Sequence, residues 1–266
     1  MEMDHLLRLG PATMSALPAG IVPFQRVPMA ARPFAAPLVL PKALLCDLDG
    51  TLIDSMPTLA DLATDVLGEV YGTPATLARE FYLATCGLPF IRQLESIFPG
   101  DTRNQAASDL FEGRKPERCN QIRMPADVSR TLADLKQRGV AIVVSSNNGV
   151  DNVAAFARNS GFDFDLVLGF GGGLAKGKPH IDLCEATFDV DRSEMLFIGD
   201  SLHDGEIAER EAIPFVGLAG TFSHERFTLR FPNAPVLRRF AELPDLFEAQ
   251  VGSDVRNDVR LFAGNG

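Results

Sequence analysis

The sequence of 266 residues predicts an α/β fold, a doubly wound parallel β-sheet core that carries an inserted all-helical domain. Short runs in which every residue is apolar predict the sheet, because such runs suit strands that are buried on both faces. Segments with helical spacing separate these runs, and the succession of strand and helix is typical of a doubly wound domain. The insertion is predicted because helical patterns alone follow the first strand for about 70 residues, too long for an ordinary loop.

Five apolar runs are the predicted strands of the core, and amphipathic segments predict the helices between them. The strands are residues 43–46, 140–144, 166–168, 195–198 and 215–216. One core helix contains Val128, Leu132 and Leu135, with Asp127 as its predicted N-cap and Gly139 just after its end. The next helix contains Val153, Phe156 and Ala157 and is predicted to end near Gly161.

The inserted domain is predicted to span residues 56–125 and to contain four amphipathic helices. Their apolar positions are Leu59, Leu62, Val66, Leu67 and Val70; Leu77, Phe81 and Leu83; Ile91, Leu94, Ile97 and Phe98; and the segment 106–111. The core is then formed by residues 41–55 and 126–249. Residues 1–40 are predicted to be a poorly ordered N-terminal extension, and residues 250–266 a flexible tail.

The composition limits the classes of partner. A hydrophobic fraction of 46% and a charged fraction of 23% are ordinary for a globular protein. The formal net charge of -10 disfavours nucleic acid as a partner, and no apolar run reaches the roughly 20 residues of a membrane helix. The four cysteines form no Cys-x-x-Cys pair. We expect a cytoplasmic protein, a monomer or a homodimer, that binds neither nucleic acid nor a membrane.

Polar side chains follow the predicted strands at the point where each strand ends. They are Asp47, Asp49 and Thr51 after the first strand; Ser145, Ser146 and Asn147 after the second; Lys176 and Lys178 after the third; and Asp200 and Asp204 after the fourth. Ligands of open parallel sheets bind beyond the carboxyl ends of the strands. We therefore expect these side chains to meet at one edge of the sheet.

Converging aspartates need a cation, because without one they repel each other and some take up protons. A hard divalent ion with oxygen ligands removes this conflict, and Mg²⁺ is the usual choice beside phosphate. The positions of the few lysines independently indicate a positive charge at the predicted site. They are Lys42, Lys115, Lys136, Lys176 and Lys178, so two of them lie close together beside the predicted site. Since arginine provides most of the positive charge, a lysine at the site is expected to act as a compact point charge.

These motifs resemble those of the haloacid dehalogenase-like phosphatase superfamily over roughly residues 43–248. The segment LLCDLDGTLIDS carries Asp-x-Asp-Gly-Thr after an apolar strand, VVSSN resembles the second motif, GKP the third and FIGDSLHD the fourth. The order and spacing of the four motifs also fit, and the helical insertion resembles the family's helical cap. The resemblance implies a Rossmann-like core and phosphoryl-transfer chemistry.

The resemblance implies the following roles for the aspartates. Asp47 is the nucleophile that forms an aspartyl-phosphate. Asp49 is the general acid that protonates the leaving group and then the base that activates water. Mg²⁺ is held by Asp47, by the backbone carbonyl of Asp49 and by Asp200. Asp204 anchors the site lysine or a metal-bound water.

The remaining implied roles concern phosphate binding and support. Gly50 allows a tight turn and Thr51 supports it. A hydroxyl of the second motif binds phosphoryl oxygens together with Asn147, and strand length favours Ser146 over Ser145 for this hydroxyl.

The lysine of the third motif contributes to phosphate binding and orients Asp47. Lys176 and Lys178 compete for this role. Lys178 is favoured, because the proline that follows it fits the family pattern.

Substrate choice is expected to depend on the cap. The segment 85–92 contains the predicted specificity loop, with Gly87 in a turn and Arg92 either meeting a second anionic group or lying in solvent. A phosphonate-cleaving relative needs a cap lysine, and the cap offers only Lys115, in a charged, loop-like segment. We expect a Mg²⁺-dependent phosphatase of a small phosphorylated metabolite, phosphoglycolate or a sugar phosphate. The alternatives are β-phosphoglucomutase-like transfer and a catalytically silent binding module.

Overall fold

The structure is a computed structural model that describes residues 38–119 and 121–248. The predicted tail, and the predicted N-terminal extension up to residue 37, lie outside the described residues. Within them, no helix has the length and apolar character that are needed to cross a bilayer.

Six parallel strands form one sheet in the order β3-β2-β1-β4-β5-β6, which confirms the predicted doubly wound α/β fold. The strands are β1 (Ala43–Cys46), β2 (Ala141–Gly149), β3 (Leu166–Phe170), β4 (Met195–Gly199), β5 (Phe215–Leu218) and β6 (Val236–Leu237). All five predicted strands are present. β6, a strand of two residues, was not predicted.

Side chains that alternate along β1 explain why its sequence is apolar at every position. Leu44 and Cys46 pack in a hydrophobic cluster on one face of the sheet, whereas Ala43 and Leu45 pack in a cluster on the other face. All four side chains are fully buried. Because successive residues of a strand point to opposite faces, a strand that is covered on both sides must be apolar throughout.

Helices cover both faces of the sheet. Those of the core are α5 (Ala126–Gln137), α6 (Val150–Ser160), α7 (Lys178–Phe188), α8 (Leu202–Glu211), α9 (His224–Arg230) and α10 (Asp245–Glu248). Gly139 and Gly161 follow the ends of α5 and α6 with φ of 87° and 70°, as predicted for C-terminal glycines. The prediction of Asp127 as N-cap is wrong: α5 begins at Ala126 with Pro125 as its N-cap, and Asp127 lies in the first turn.

The insertion after β1 consists of four helices with a hydrophobic cluster of their own. They are α1 (Met56–Tyr71), α2 (Ala75–Thr85), α3 (Phe90–Ile97) and α4 (Asn104–Cys119). The cluster contains the buried side chains of Leu62, Val66 and Leu94, which lie at the predicted apolar positions. The segment around Lys115 was predicted to be loop-like, and this is wrong, because it lies within α4. The domain limits at residues 56 and 125 remain a prediction.

Candidate active site

Asp47 lies directly after β1 and is held where the central strands of the sheet end. Its backbone N–H donates to the carbonyl of Ile198 in β4 at 3.0 Å, and its side chain is buried. The chain then turns sharply at Gly50, where φ is +87° and a Cβ would lie 2.0 Å from an Asp200 carboxylate oxygen. Only glycine fits this turn, as the sequence predicted.

Three carboxylates meet beyond the ends of β1 and β4. Oxygens of Asp47, Asp200 and Asp204 lie within 4.8 Å of one another, and all three residues are buried. Burial, against the opposing charge of Lys176, raises the pKa of Asp47 to about 7. Burial and the neighbouring carboxylates raise the pKa of Asp200 well above its usual range. This crowding of buried negative charge is the electrostatic situation that a cation relieves.

Lys176, and not Lys178, is the lysine of this site. The Lys176 ammonium donates to Asp47 Oδ1 and, at 2.9 Å, to Asp204 Oδ1, and its side chain is 2% exposed. Burial disfavours the charged form, but the carboxylates of Asp204 and Asp47 outweigh it and raise the pKa of Lys176. The ammonium therefore stays charged.

The prediction of Lys178 as the site lysine is wrong. Lys178 is the first residue of α7, its side chain is 65% exposed, and its ammonium pairs with Asp182 one helical turn further on. The proline after Lys178 belongs to the first turn of α7, where proline is favoured. It therefore marks the start of a helix and does not indicate which lysine enters the site.

Asp204 contacts Lys176 and not Lys178, the lysine that the sequence favoured. In addition to the lysine, it accepts hydrogen bonds from the hydroxyl and the backbone N–H of Ser201, at 2.7 and 3.1 Å. Ser201 is the N-cap of α8 and forms a capping box with Asp204, which fixes this carboxylate at the helix N-terminus. The Thr51 hydroxyl donates a hydrogen bond of 3.3 Å to Asp47 Oδ2, the oxygen that does not accept from Lys176.

The two serines within β2 point to different surroundings. Ser146 lines the pocket beside Asp47, and its hydroxyl accepts from the N–H of Asn148 at 3.0 Å. Ser145 lies 2.9 Å from His180 Nδ1. His180 Nε2 is paired with the carbonyl of Gly169, and burial lowers the pKa of His180 to about 4. The neutral ring donates from Nε2 to that carbonyl, so Nδ1 accepts from Ser145, whose hydroxyl faces the core.

Asn147 joins the cap to the core. Its amide group donates to the carbonyl of Gly87 at 2.7 Å and accepts from the backbone N–H of Lys176 at 3.1 Å. Gly87 has φ of +93°, and a Cβ there would lie 2.6 Å from the hydroxyl of Ser201. The loop between α2 and α3 can therefore approach the core closely only because residue 87 is glycine.

The prediction that Arg92 meets a second anionic group of the substrate is not supported. Its guanidinium pairs with Glu95 at 2.6 Å, and its side chain is 65% exposed. The residue lies in α3 and does not line the pocket. The alternative prediction, that Arg92 lies in solvent, describes its position.

Asp49 is held by two side chains that the sequence analysis did not identify. Ser55 donates to Asp49 Oδ1 at 2.6 Å, and the Asn148 amide donates to Asp49 Oδ2 at 3.0 Å. Asn148 follows the second motif directly, so its place in the sequence was a usable signal. Thr221 was also missed: it donates to Asp200 Oδ2 from the loop after β5, and nothing near it in the sequence indicates this contact.

Lys115 is the second lysine at the pocket, a position that the sequence did not predict for it. Its ammonium contacts Glu112 Oε1 at 2.9 Å and Asn148 Oδ1 at 3.1 Å, and its side chain is 8% exposed. The available signal was Phe111, one helical turn earlier on the same face of α4, because residues four apart in a helix are neighbours. Phe111 is buried and its ring lies 4.7 Å from the ammonium.

The pocket between cap and core has a volume of about 50 Å³ and is lined by residues of both parts. Carboxylates of the core lie at its base, and apolar side chains of the cap, including Leu59, Phe90 and Phe111, lie across from them. The pocket is therefore suited to bind a small polar group in contact with the aspartates.

The acidic cluster offers the donors that Mg²⁺ prefers. Mg²⁺ binds oxygen ligands at about 2.0–2.1 Å, so its ligand atoms must lie within a few ångströms of each other, as the oxygens of the cluster do. Both oxygens of Asp204 accept hydrogen bonds, Oδ1 from Lys176 and Oδ2 twice from Ser201, whereas Thr51 contacts Asp47 Oδ2 only over 3.3 Å and Thr221 contacts Asp200 at Oδ2. Asp47 and Asp200 are therefore the carboxylates best placed to hold an ion, and the residues fit the metal that the sequence predicted.

Comparison with known families and curated proteins supports one class of protein. The sequence model of the family described as haloacid dehalogenase-like hydrolase matches residues 44–218. The chain is 31% identical over 222 residues to the phosphoglycolate phosphatase of Pectobacterium atrosepticum, an alignment that covers 78% of this chain and 93% of that protein. It is 27% identical over 217 residues to the phosphoglycolate phosphatase of Rhodobacter capsulatus, which covers 77% and 96% of the two chains.

Solved structures share the fold. The crystal structure of a predicted phosphoglycolate phosphatase from Haemophilus somnus aligns with a TM-score of 0.62 and 24% identity, over 79% of this chain and 99% of that one. A haloacid dehalogenase-like family protein from Streptococcus pneumoniae aligns with a TM-score of 0.67 and 19% identity, over 78% and 99% of the two chains. Both alignments include most of the described residues.

Proposed function

The chain belongs to the haloacid dehalogenase-like hydrolases and is a phosphatase, and we propose that it hydrolyses a small phosphomonoester through an aspartyl-phosphate on Asp47 with the help of Mg²⁺. The observation that carries this proposal is the set of contacts of Asp47. The residue ends a central strand, one carboxylate oxygen is fixed by a buried lysine, and a second buried aspartate lies beside it. A carboxylate that is held in this way can attack in a fixed direction.

The first half-reaction transfers the phosphoryl group to the enzyme. Asp47 forms a bond to phosphorus while the bond from phosphorus to the ester oxygen breaks, and Asp49 gives its proton to the departing oxygen. Ser55 and Asn148 hold the two oxygens of Asp49, so the acid is oriented before the substrate arrives. Ser146 and nearby backbone N–H groups bind the phosphoryl oxygens.

The second half-reaction releases phosphate. Asp49, now a carboxylate, takes a proton from water as the water oxygen bonds to phosphorus, and the bond to Asp47 breaks so that its carboxylate is restored. Lys176 keeps Asp47 oriented in both steps. When bound by Asp47, Asp200 and the Asp49 carbonyl, Mg²⁺ neutralises negative charge on the phosphoryl group.

Phosphoglycolate is the first candidate substrate, because the curated relatives cited above carry this activity in their names. A sugar phosphate is the second candidate, and transfer of the β-phosphoglucomutase type remains the alternative reaction. Schiff-base chemistry at Lys115 is disfavoured, because its side-chain nitrogen is engaged by Glu112 and Asn148.

The proposed function is tested by phosphate release from phosphoglycolate, with and without Mg²⁺. We expect turnover with Mg²⁺, and its loss after chelation with recovery on adding the metal back. A panel of sugar phosphates and p-nitrophenyl phosphate provides the comparison, and inorganic phosphate as the product distinguishes hydrolysis from transfer to a second sugar. No phosphate release from any of these compounds would contradict the proposal.

Asp49→Asn is expected to reduce kcat by about 10²- to 10⁴-fold, the usual contribution of a general acid and base, while Mg²⁺ binding largely survives. The amide cannot deliver the proton, but the backbone carbonyl that is proposed to face the metal is unchanged. Calorimetric titration with Mg²⁺ alongside kinetics measures both properties. Loss of metal binding in this variant would contradict the division of roles between side chain and backbone.

Ser146→Ala is expected to reduce kcat/KM on the order of 100-fold, because it removes a hydroxyl donor to phosphoryl oxygens. Ser145→Ala is the matched control and should change kcat/KM less than about threefold. It should instead lower the free energy of unfolding by about 1 kcal/mol, since His180 loses its hydroxyl partner. Kinetics and denaturant unfolding separate the two effects, and the reverse pattern would assign the phosphate-binding role to Ser145.

A further inference from the structure

We infer that Lys115 recognises an anionic group on the leaving portion of the substrate, so that the enzyme selects phosphomonoesters with a carboxylate or second phosphate close to the ester oxygen. This inference rests on the proposed function, because it concerns the organic part of the molecule whose phosphoryl group Asp47 takes. The observation that supports it is the position of the buried Lys115 ammonium in the cap. The side-chain amide of Asn148 connects this ammonium to Asp49, the proposed general acid.

Among the described residues that line the pocket, Lys115 is the one cation besides Lys176. Lys176 is committed to Asp47 and Asp204 and serves the phosphoryl end. Within this pocket, a second anion of a bound substrate therefore has Lys115 as its available partner. Arg92, the cation that the sequence suggested, lies on the exposed side of α3.

The position of Lys115 matches the place that the leaving group must occupy. Asn148 accepts from the Lys115 ammonium and donates to Asp49 Oδ2. The ester oxygen must lie within hydrogen-bond distance of Asp49 to receive its proton. A substituent on the carbon that bears this oxygen then lies on the Lys115 side of the pocket.

The surroundings of Lys115 show that a carboxylate can bind there. The Glu112 carboxylate of the same helix already contacts the ammonium at 2.9 Å, and its side chain is 33% exposed. An ammonium has three donors, and Glu112 and Asn148 account for two of them. Asn152 also approaches Glu112 and Asn148, at 3.4 and 3.3 Å, so the group has polar neighbours throughout.

The leaving group also has room on this side. Asp49, Lys115 and Asn148 line a second cavity of about 210 Å³ as well as the pocket above Asp47. This cavity is larger than the pocket of about 50 Å³ that holds the aspartates. These three side chains border both spaces, so a leaving group that contacts Asp49 lies beside Lys115.

The test compares phosphoglycolate with ethyl phosphate, which is similar in size but lacks the carboxylate. In the wild-type enzyme we expect kcat/KM to favour phosphoglycolate. Lys115→Met is expected to reduce the ratio of the two kcat/KM values on the order of 100-fold, mainly through KM, since a buried charged contact is lost. Turnover of ethyl phosphate by the same variant reports whether it is folded.

Arg92→Met is the matched control, because it removes an exposed cation from the same domain, and it should leave the ratio unchanged. Equal losses for both substrates in Lys115→Met would show that the lysine acts through Asn148 on Asp49, and would overturn the inference. A wild-type enzyme without preference between the two esters would also overturn it, while the phosphatase function would stand.

Binding measurements separate this inference from the proposed function. Calorimetry of the Asp47→Asn variant, with and without Lys115→Met, compares the affinities for phosphoglycolate and ethyl phosphate without turnover. A preference for phosphoglycolate that disappears with Lys115 supports the inference even if hydrolysis is not observed. Equal affinities with Lys115 in place contradict it.

Discussion

Asp47→Asn is expected to abolish phosphate release, with a fall in kcat on the order of 10⁴-fold or more. The amide oxygen is a poor nucleophile, and Asp49, the other carboxylate after β1, is held by Ser55 and Asn148. Asparagine has nearly the same shape, so the buried environment of residue 47 is not left with a cavity. Steady-state kinetics with phosphoglycolate and p-nitrophenyl phosphate measures the loss.

Asp54→Asn is the matched control for this variant. Asp54 lies on the same loop but is exposed, so its neutralisation should change kcat less than about twofold. Circular dichroism and thermal unfolding show whether both variants fold. Residual activity of Asp47→Asn within tenfold of the wild type would mean that another group attacks phosphorus, and it would contradict the proposed role of Asp47.

Lys176→Met is expected to combine a large loss of activity with a large loss of stability. Removing the ammonium leaves Asp47 and Asp204 buried without their common partner, and the loss of one member of a buried ion pair costs about 3–5 kcal/mol. In addition, kcat should fall roughly 10²- to 10³-fold, because Asp47 is no longer oriented. Urea unfolding and steady-state kinetics of the same preparation measure both effects.

Lys178→Met is the control, and it also tests the correction of the sequence-based choice. Lys178 is exposed and pairs with Asp182 along α7, and such surface pairs contribute about 0.5 kcal/mol or less. We expect nearly wild-type stability and kcat. If Lys178→Met were inactive and Lys176→Met active, the arrangement around Asp47 described above would be wrong.

The parallel sheet could be predicted from the sequence because its strands are apolar at every position. Once the strands are known, sheet geometry brings the residues after them to one edge, which is why the positions of Asp47, Asp49 and Asp200 were anticipated. Ser145 and Ser146 are adjacent within β2, so their side chains point to opposite faces, and Ser146 is the one that lines the pocket.

The remaining site residues depend on contacts that the sequence does not show. Lys176 and Lys178 are only two residues apart in the sequence. Because α7 begins at Lys178, Lys176 lies before the helix and is buried, whereas Lys178 lies on the helix and is exposed. Lys115 enters the site through a long-range contact between cap and core, the hydrogen bond from its ammonium to Asn148 Oδ1. Arg92 shows the opposite case. It is close to the specificity loop in the sequence, but its side chain lies on the exposed face of α3, away from the pocket.

The most direct test of the central claim is chemical trapping of the proposed intermediate. The enzyme is mixed with phosphoglycolate and Mg²⁺, quenched in acid and treated with borohydride, which reduces an aspartyl-phosphate to homoserine, and the peptides are analysed by mass spectrometry. We predict homoserine at position 47 in the wild type and none when substrate is omitted. Phosphate attached to a serine or histidine, or homoserine at a different aspartate, would contradict the assignment of Asp47 as the nucleophile.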